Sequence, residues 1–151
     1  MNRAAEFLAT LGGIGRAPFA PGTVASLVAL PFAWIIQRYG GEWLLILLTL
    51  SVTAIGIVAC GHVANLTNDP DPSACVIDEL AGQWLTCAFA PPSILGYALA
   101  FLLFRLFDIA KPWPISSFER LAGGLGIMAD DLAAAVMGGV LIAGASVAGL
   151  V

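Results

Sequence analysis

The sequence predicts an all-α integral membrane protein: one helical-bundle domain over residues 1–151, with about three spanning helices and one proline-broken helical pair. The chain is 60% hydrophobic and only 11% charged, and its mean hydropathy is +0.95. Its apolar runs approach the roughly 20 residues that a helix needs to cross the hydrocarbon core. A soluble domain of this length does not require such runs.

Three apolar runs are predicted to span. Trp43 to Val63 and Leu132 to Val151 are long enough with little interruption. Val24 to Ile36 is shorter and contains Pro31, so we expect it to tilt little, to thin the bilayer locally, or to extend back into the preceding loop. The N-terminus lacks a cleavable signal pattern, and the first span is therefore expected to remain.

A fourth run, Leu80 to Phe104, is interrupted by Pro91-Pro92, because consecutive prolines remove backbone donors and disfavour helix before them. It forms either a fourth span or a re-entrant or interfacial pair. The re-entrant path places five of the six basic residues on one face of the membrane: Arg3, Arg16, Arg105, Lys111 and Arg120. A path with four spans places two of the six on one face and four on the other. The positive-inside rule favours this path. It predicts a multi-pass protein of the bacterial inner membrane with a cytoplasmic N-terminus.

Five carboxylates lie beside or between these runs: Asp78, Glu79, Asp108, Asp130 and Asp131. An ionised side chain near hydrocarbon costs roughly 2.5 to 3.5 kcal/mol on insertion scales. Such a cluster therefore predicts a shared cation or a reaction site, at the cytoplasmic interface in the re-entrant path. The three cysteines have no CxxC pair and the chain has one histidine, His62, so we expect neither a zinc site nor a disulfide framework.

The first segment with possible chemistry is the glycine- and proline-rich stretch from Gly12 to Thr23. Thr23 is predicted to cap the following helix. Free amides at the helix start, together with Arg16, can hold a phosphate group. The alternative is a tight turn that leads into the bilayer.

The second segment is an Asp-Pro turn followed by Asp78 and Glu79, which are predicted to begin a helix. They are either first-turn acids that the helix dipole stabilises or ligands of a hard cation near the helix end.

In the third segment, Arg105, Asp108 and Lys111 recur every three residues and share a helix face, and the helix is expected to end near Lys111. One interpretation is an interfacial ion-pair network with Trp113 as a headgroup-level anchor. The other assigns Asp108 to a metal and the two cations to phosphate.

The fourth segment brings Asp130 and Asp131 to the predicted start of the last span, after a glycine-rich approach. Helix capping accounts for one aspartate. The second favours a cation site, because a further carboxylate at the membrane boundary is costly.

In this order, the segments GRAPFAPGT, VIDELAGQW, FRLFDIAKPWPI and GIMADD resemble the phosphatidylglycerophosphatase A family, from about Gly12 to Asp131. One departure is Ala25, where glycine is expected; it removes no polar group. The resemblance implies a magnesium-dependent phosphatase of phospholipid biosynthesis. Its substrate would be phosphatidylglycerophosphate, whose terminal monoester it would hydrolyse to phosphatidylglycerol and phosphate.

Carboxylates without histidine or cysteine partners suit Mg²⁺, which prefers oxygen ligands. The resulting hypothesis assigns one or two Mg²⁺ ions to Asp78, Glu79, Asp130 and Asp131. Asp108 is a further ligand, the base that orients water, or a nucleophile. The predicted catalytic residues are Asp108, Asp131, Lys111 and Arg105, and the predicted phosphate-binding residues are Arg16, Thr23, Arg105 and Lys111. Membrane lipids are the other expected partners, and no nucleic acid is expected.

The main alternative function is a small cation- or proton-coupled transporter or channel subunit, since a broken helix with acids beside it is compatible with transport. No internal inverted repeat supports it. A headgroup transferase would require a DGxxAR-type signature, which the sequence lacks. The number of metal ions, the acyl-chain preference and the oligomeric state stay open.

Overall fold

The computed structural model describes residues 3–150, and these residues form helices without any strand. The elements are α1 (Arg3–Ala9), a 3₁₀ segment (Leu11–Arg16), α2 (Pro21–Thr67), α3 (Ile77–Ala88), α4 (Ile94–Ala110), α5 (Ile115–Phe118) and α6 (Gly124–Val147). The predicted all-α class is confirmed. Val151, the predicted end of the last span, lies outside the described residues.

Helix α2 has 47 residues, but it is two helical arms joined at Gly41. Gly41 has φ 79° and ψ 175°, a backbone conformation that residues other than glycine rarely adopt. The arms, residues 21–40 and 42–67, fold back on each other, because Ala33 and Leu45 share one buried cluster. The first arm extends the predicted run at both ends, and Pro31 lies within it.

The predicted capping role of Thr23 is wrong. Ala20 occupies the cap position with φ 42° and ψ 59°, and Pro21 is the first helical residue. Proline suits that position because its φ is already helical and the missing N–H would have had no partner there. The helix therefore starts before Thr23.

The Pro91-Pro92 break separates α3 from α4, as predicted. At 12 and 17 residues, these helices are about 18 and 26 Å long, both shorter than a hydrocarbon core of about 30 Å. Gln37 donates from Nε2 to the Ala90 carbonyl at 3.2 Å and accepts from the Tyr97 hydroxyl at 2.5 Å. These bonds place the break at the same end of the bundle as the Gly41 turn.

Helix α6 begins at Gly124, eight residues before the predicted start of the last span at Leu132. A Cβ at Gly124 would collide with the Ile57 carbonyl, so glycine allows this end of α6 to pack on the second arm of α2. Asp130 and Asp131 consequently lie about two turns inside the helix. The expectation that one of them caps it is wrong.

Two helices, Pro21–Thr67 and Gly124–Val147, are long and apolar enough to cross a membrane by length and composition. Much of the outer surface is apolar, with Leu50 62% and Val58 72% exposed, as expected for a protein that contacts lipid. The bundle has two ends. One carries Gly41 and the Pro91-Pro92 break, and the other, called here the polar end, carries the loops 17–20, 68–76 and 111–123.

Candidate active site

A cavity of about 360 Å³ opens at the polar end. It is lined by the start of α2, the loop before α3, the first turn of α3, the end of α4 and the first turns of α6. The structure brings together all five sequence-predicted carboxylates and three further predicted residues here: Asp78, Glu79, Asp108, Asp130, Asp131, Arg105, Lys111 and Thr23.

Three of the carboxylates form a compact cluster, called here the acidic trio: Asp78, Glu79 and Asp131. One oxygen from each lies within 4.8 Å of the others. Asp78 and Asp131 are buried, at 7% and 4% exposure. Within the described residues, Glu79 Oε2 and Asp131 Oδ2 are buried without a hydrogen-bond partner. Such unpartnered carboxylate oxygens are the donors that a hard divalent cation requires.

The trio is electrostatically costly without a cation. Burial raises the pKa of Asp78 well above its usual range, and the charge of Glu79 raises it further. Burial likewise raises the pKa of Glu79. A divalent cation between the carboxylates would oppose both effects, because it stabilises the ionised forms.

Gly22 makes room for the trio. A Cβ at this position would collide with the Glu79 carboxylate, so glycine lets Glu79 keep its place beside the start of α2. The sequence placed Gly22 in a turn but did not predict this contact with Glu79.

The basic residues of the cavity hold the other two carboxylates. Arg105 Nη1 lies 2.8 Å from Asp108 Oδ2 and 4.0 Å from Glu79 Oε1. Lys111 Nζ donates to Asp130 Oδ2 at 2.6 Å. Arg105 and Asp108 therefore pair on α4 as the spacing predicts, whereas Lys111 pairs with α6.

Lys111 ends α4 in a left-handed conformation, with φ 43°, which confirms the predicted helix end. Its Nζ also donates to Glu119 Oε1 at 2.8 Å. Burial disfavours the ammonium, but the hydrogen bonds to Asp130 and Glu119 outweigh burial and raise the Lys111 pKa. Sequence reasoning missed Glu119, because α5 and its turn separate it from Lys111 along the chain.

Arg16 is the one predicted site residue outside the cavity. Its guanidinium pairs with the Glu6 carboxylate, and its side chain is 64% exposed. The 3₁₀ segment and the end of α1 instead support the loop before α3. Gly15 packs against the Ala74 backbone, and Val76 N donates to the carbonyl of Ala9, the last residue of α1, at 2.9 Å. Arg16 thus lies outside the cavity, whereas the end of the same stretch, from Ala20 to Thr23, lines it, and phosphate binding by this segment stays a prediction.

Among the lining residues that were not predicted there, three have a side chain with a polar or ionisable group: Asp71, Ser73 and Cys75. They belong to the Asp-Pro turn before α3, and their proximity to α6 has no sequence signal. Cys60, Cys75 and Cys87 are buried free thiols.

Comparisons with known proteins identify relatives of this chain. The family model described as Phosphatidylglycerophosphatase A matches residues 7–146. The Phosphatidylglycerophosphatase A of Escherichia coli K12 is 36% identical over 139 residues, covering 91% of this chain and 80% of that protein. Its namesake in Haemophilus influenzae Rd is 35% identical over 133 residues, covering 87% and 82%.

A Bacteroides thetaiotaomicron protein, named provisionally as a phosphatidylinositol-3-phosphatase, is 36% identical over 144 residues, covering 87% of this chain and 86% of that protein. No solved structure matches the chain.

Proposed function

This chain belongs to the phosphatidylglycerophosphatase A family and is a phosphatase, and we propose that it hydrolyses the terminal phosphate monoester of phosphatidylglycerophosphate. The products would be phosphatidylglycerol and inorganic phosphate, a step of phospholipid biosynthesis. The observation that carries the proposal is one cavity that joins the acidic trio to Arg105 and Lys111. Carboxylates alone would repel a lipid phosphate ester, so the positive charge of a bound metal and that of Arg105 and Lys111 would both favour its binding.

The proposed cofactor is Mg²⁺, held by Asp78, Glu79 and Asp131. The fit rests on their donor chemistry: all are oxygen ligands, close enough to share one ion, and two oxygens lack a protein partner. When bound, the ion supplies Lewis-acid stabilisation of phosphoryl charge and an acidified water. Asp108 and Asp130, also predicted as ligands, are better supported as the carboxylates that position Arg105 and Lys111.

Arg105 and Lys111 are proposed to bind the phosphoryl oxygens. Arg105 Nε is buried and has no hydrogen-bond partner in the described residues, so a phosphate oxygen would satisfy it. Lys111 adds a second cationic donor at the end of the same helix, α4, and the Thr23 hydroxyl adds a neutral donor. Asp108, held by Arg105, would orient the attacking water. Water adds across the bond between phosphorus and the glycerol oxygen.

We also propose that the site lies on the cytoplasmic side of the bacterial inner membrane. The polar end carries Arg105 and Lys111, whereas Arg38 lies near the Gly41 turn at the other end. This asymmetry agrees with the positive-inside rule. A reporter fused after the C-terminus should then lie outside the cytoplasm; a cytoplasmic signal would reverse the assignment.

The decisive experiment measures phosphate release from phosphatidylglycerophosphate by detergent-purified protein, with Mg²⁺ or with chelator. We expect Mg²⁺-dependent release and a loss of more than about 100-fold in Asp131→Asn, since even indirect ligand contacts are worth 10- to 100-fold. Glu42→Gln is the matched control, because Glu42 is exposed at the other end of the bundle.

The same assay also tests phosphatidylinositol 3-phosphate, because the name of one relative describes a phosphatase of that lipid. Faster release from that lipid would change the substrate assignment. No release from either lipid by folded protein would overturn the proposed function, and ion flux into liposomes without hydrolysis would favour the transporter alternative.

A further inference from the structure

A second cavity, of about 490 Å³, lies beside the site and is almost wholly apolar. We call it the apolar groove. Its walls are the two arms of α2 and one face of α3, and α1 with the 3₁₀ segment also contributes lining residues. Nothing in the proposed chemistry uses this groove.

The groove and the polar cavity share their walls. On α3, Ile77 and Leu80 line the groove, while the intervening Asp78 and Glu79 line the cavity. On the first arm, Gly22 lines the cavity, and Ala25, one turn later, lines the groove. Residues one to three positions apart therefore line both spaces, so a phosphate head in the cavity and an apolar tail in the groove are within the reach of one lipid.

The groove has a defined direction and a floor. It follows α3 from Ile77 to Trp84, seven residues, or about 10 Å along the bundle away from the carboxylates. Trp84 Nε1 donates to the Ala29 carbonyl at 3.0 Å, which fixes the indole across the far end. The side opens outward, where the groove residues Val28 and Ile55 are 37% and 44% exposed.

We infer that the apolar groove holds one acyl chain of the phospholipid substrate whose phosphate lies in the polar cavity. This inference rests on the proposed function. A bulk bilayer lipid is a poorer occupant, because only a lipid with its phosphate at the acidic trio joins the two spaces. Ala25, the departure from the expected glycine, adds its methyl to this wall.

The test compares long-chain (dioleoyl) and short-chain (dihexanoyl) phosphatidylglycerophosphate in the same micelles. We expect Val28→Trp, which fills the groove from its open side, to lower the long-chain to short-chain ratio of kcat/KM about tenfold, the scale of misfit in an apolar pocket. Val58→Trp is the matched control on α2, outside the groove and 72% exposed. It should leave the ratio unchanged. An unchanged ratio in Val28→Trp would overturn the inference.

Two further experiments distinguish failure of a variant to fold from failure of the proposed function. If Val28→Trp does not fold, Ile55→Trp fills the groove from the other arm and must give the same drop. If the parent hydrolyses neither lipid, the proposed function fails, and binding is read by photo-cross-linking with a diazirine in the acyl chain of phosphatidylglycerophosphate. Cross-links at groove residues, absent with phosphatidylcholine carrying the same label, would support the groove. Equal labelling by both lipids would refute it.

Discussion

Two pairs of neighbouring carboxylates, Asp78-Glu79 and Asp130-Asp131, have the same local geometry and different surroundings. In each pair the first carboxylate accepts a hydrogen bond from the backbone N–H of the second residue, at 3.0 Å in both. Both members of the first pair belong to the acidic trio. The second pair is divided, because Asp131 joins the trio and Asp130 binds Lys111.

The difference comes from what faces each pair. Asp78 and Glu79 begin α3, where the helix dipole favours negative charge, and Gly22 leaves space beside them. Asp130 lies inside α6, opposite the end of α4, where Lys111 leaves the helix. Adjacent residues on a helix point about 100° apart. Asp130 therefore meets Lys111, while Asp131 meets Asp78 and Glu79. Adjacency in sequence therefore does not assign a common role.

The largest expected effect is that of Asp78→Asn, which tests the trio as the metal site. We expect activity to fall by more than about 100-fold and Mg²⁺ to lose its effect on Tm, because ligand binding to the folded state is what raises stability. Thermal unfolding with and without Mg²⁺ measures this. A variant that keeps the full Mg²⁺ shift would remove Asp78 from the site.

Asp130→Asn should have a smaller and different effect. Lys111 loses its 2.6 Å partner, and we expect activity to fall about 10- to 100-fold, as for other residues that position a functional group. The Mg²⁺ shift of Tm should persist. If the shift disappears as in Asp78→Asn, both members of the second pair are ligands and the contrast between the pairs is wrong.

Gly22→Ala should have the smallest effect of the three. The added Cβ displaces the end of the flexible Glu79 side chain rather than backbone, so we expect a loss of activity of about tenfold, the lower end for perturbed ligand geometry. Excess Mg²⁺ should restore part of it. Gly144→Ala is the matched control, since a Cβ there meets nothing within 4 Å. Equal activity of the two variants would show that Glu79 does not depend on this space.

Local patterns predicted several elements correctly. The helix class, the break at Pro91-Pro92 and the end of α4 at Lys111 follow from hydropathy and proline chemistry, which act over a few residues. The start of α6 was misplaced, because glycines that look like a loop pack against the second arm of α2. Arg16 was assigned to the site from its glycine-rich setting, but Glu6 holds it outside the cavity.

Composition and local pattern are enough to predict an apolar helical bundle in which the five carboxylates, Arg105 and Lys111 belong together, since uncompensated charge is too costly beside hydrocarbon. Which carboxylates form the trio, and which pair with Arg105 and Lys111, follows from the packing of the helices. That choice depends on how α3, α4 and α6 are rotated about their axes, and on the close approach that Gly22 and Gly124 permit. Contacts between segments far apart in the chain set both, and no local pattern encodes them.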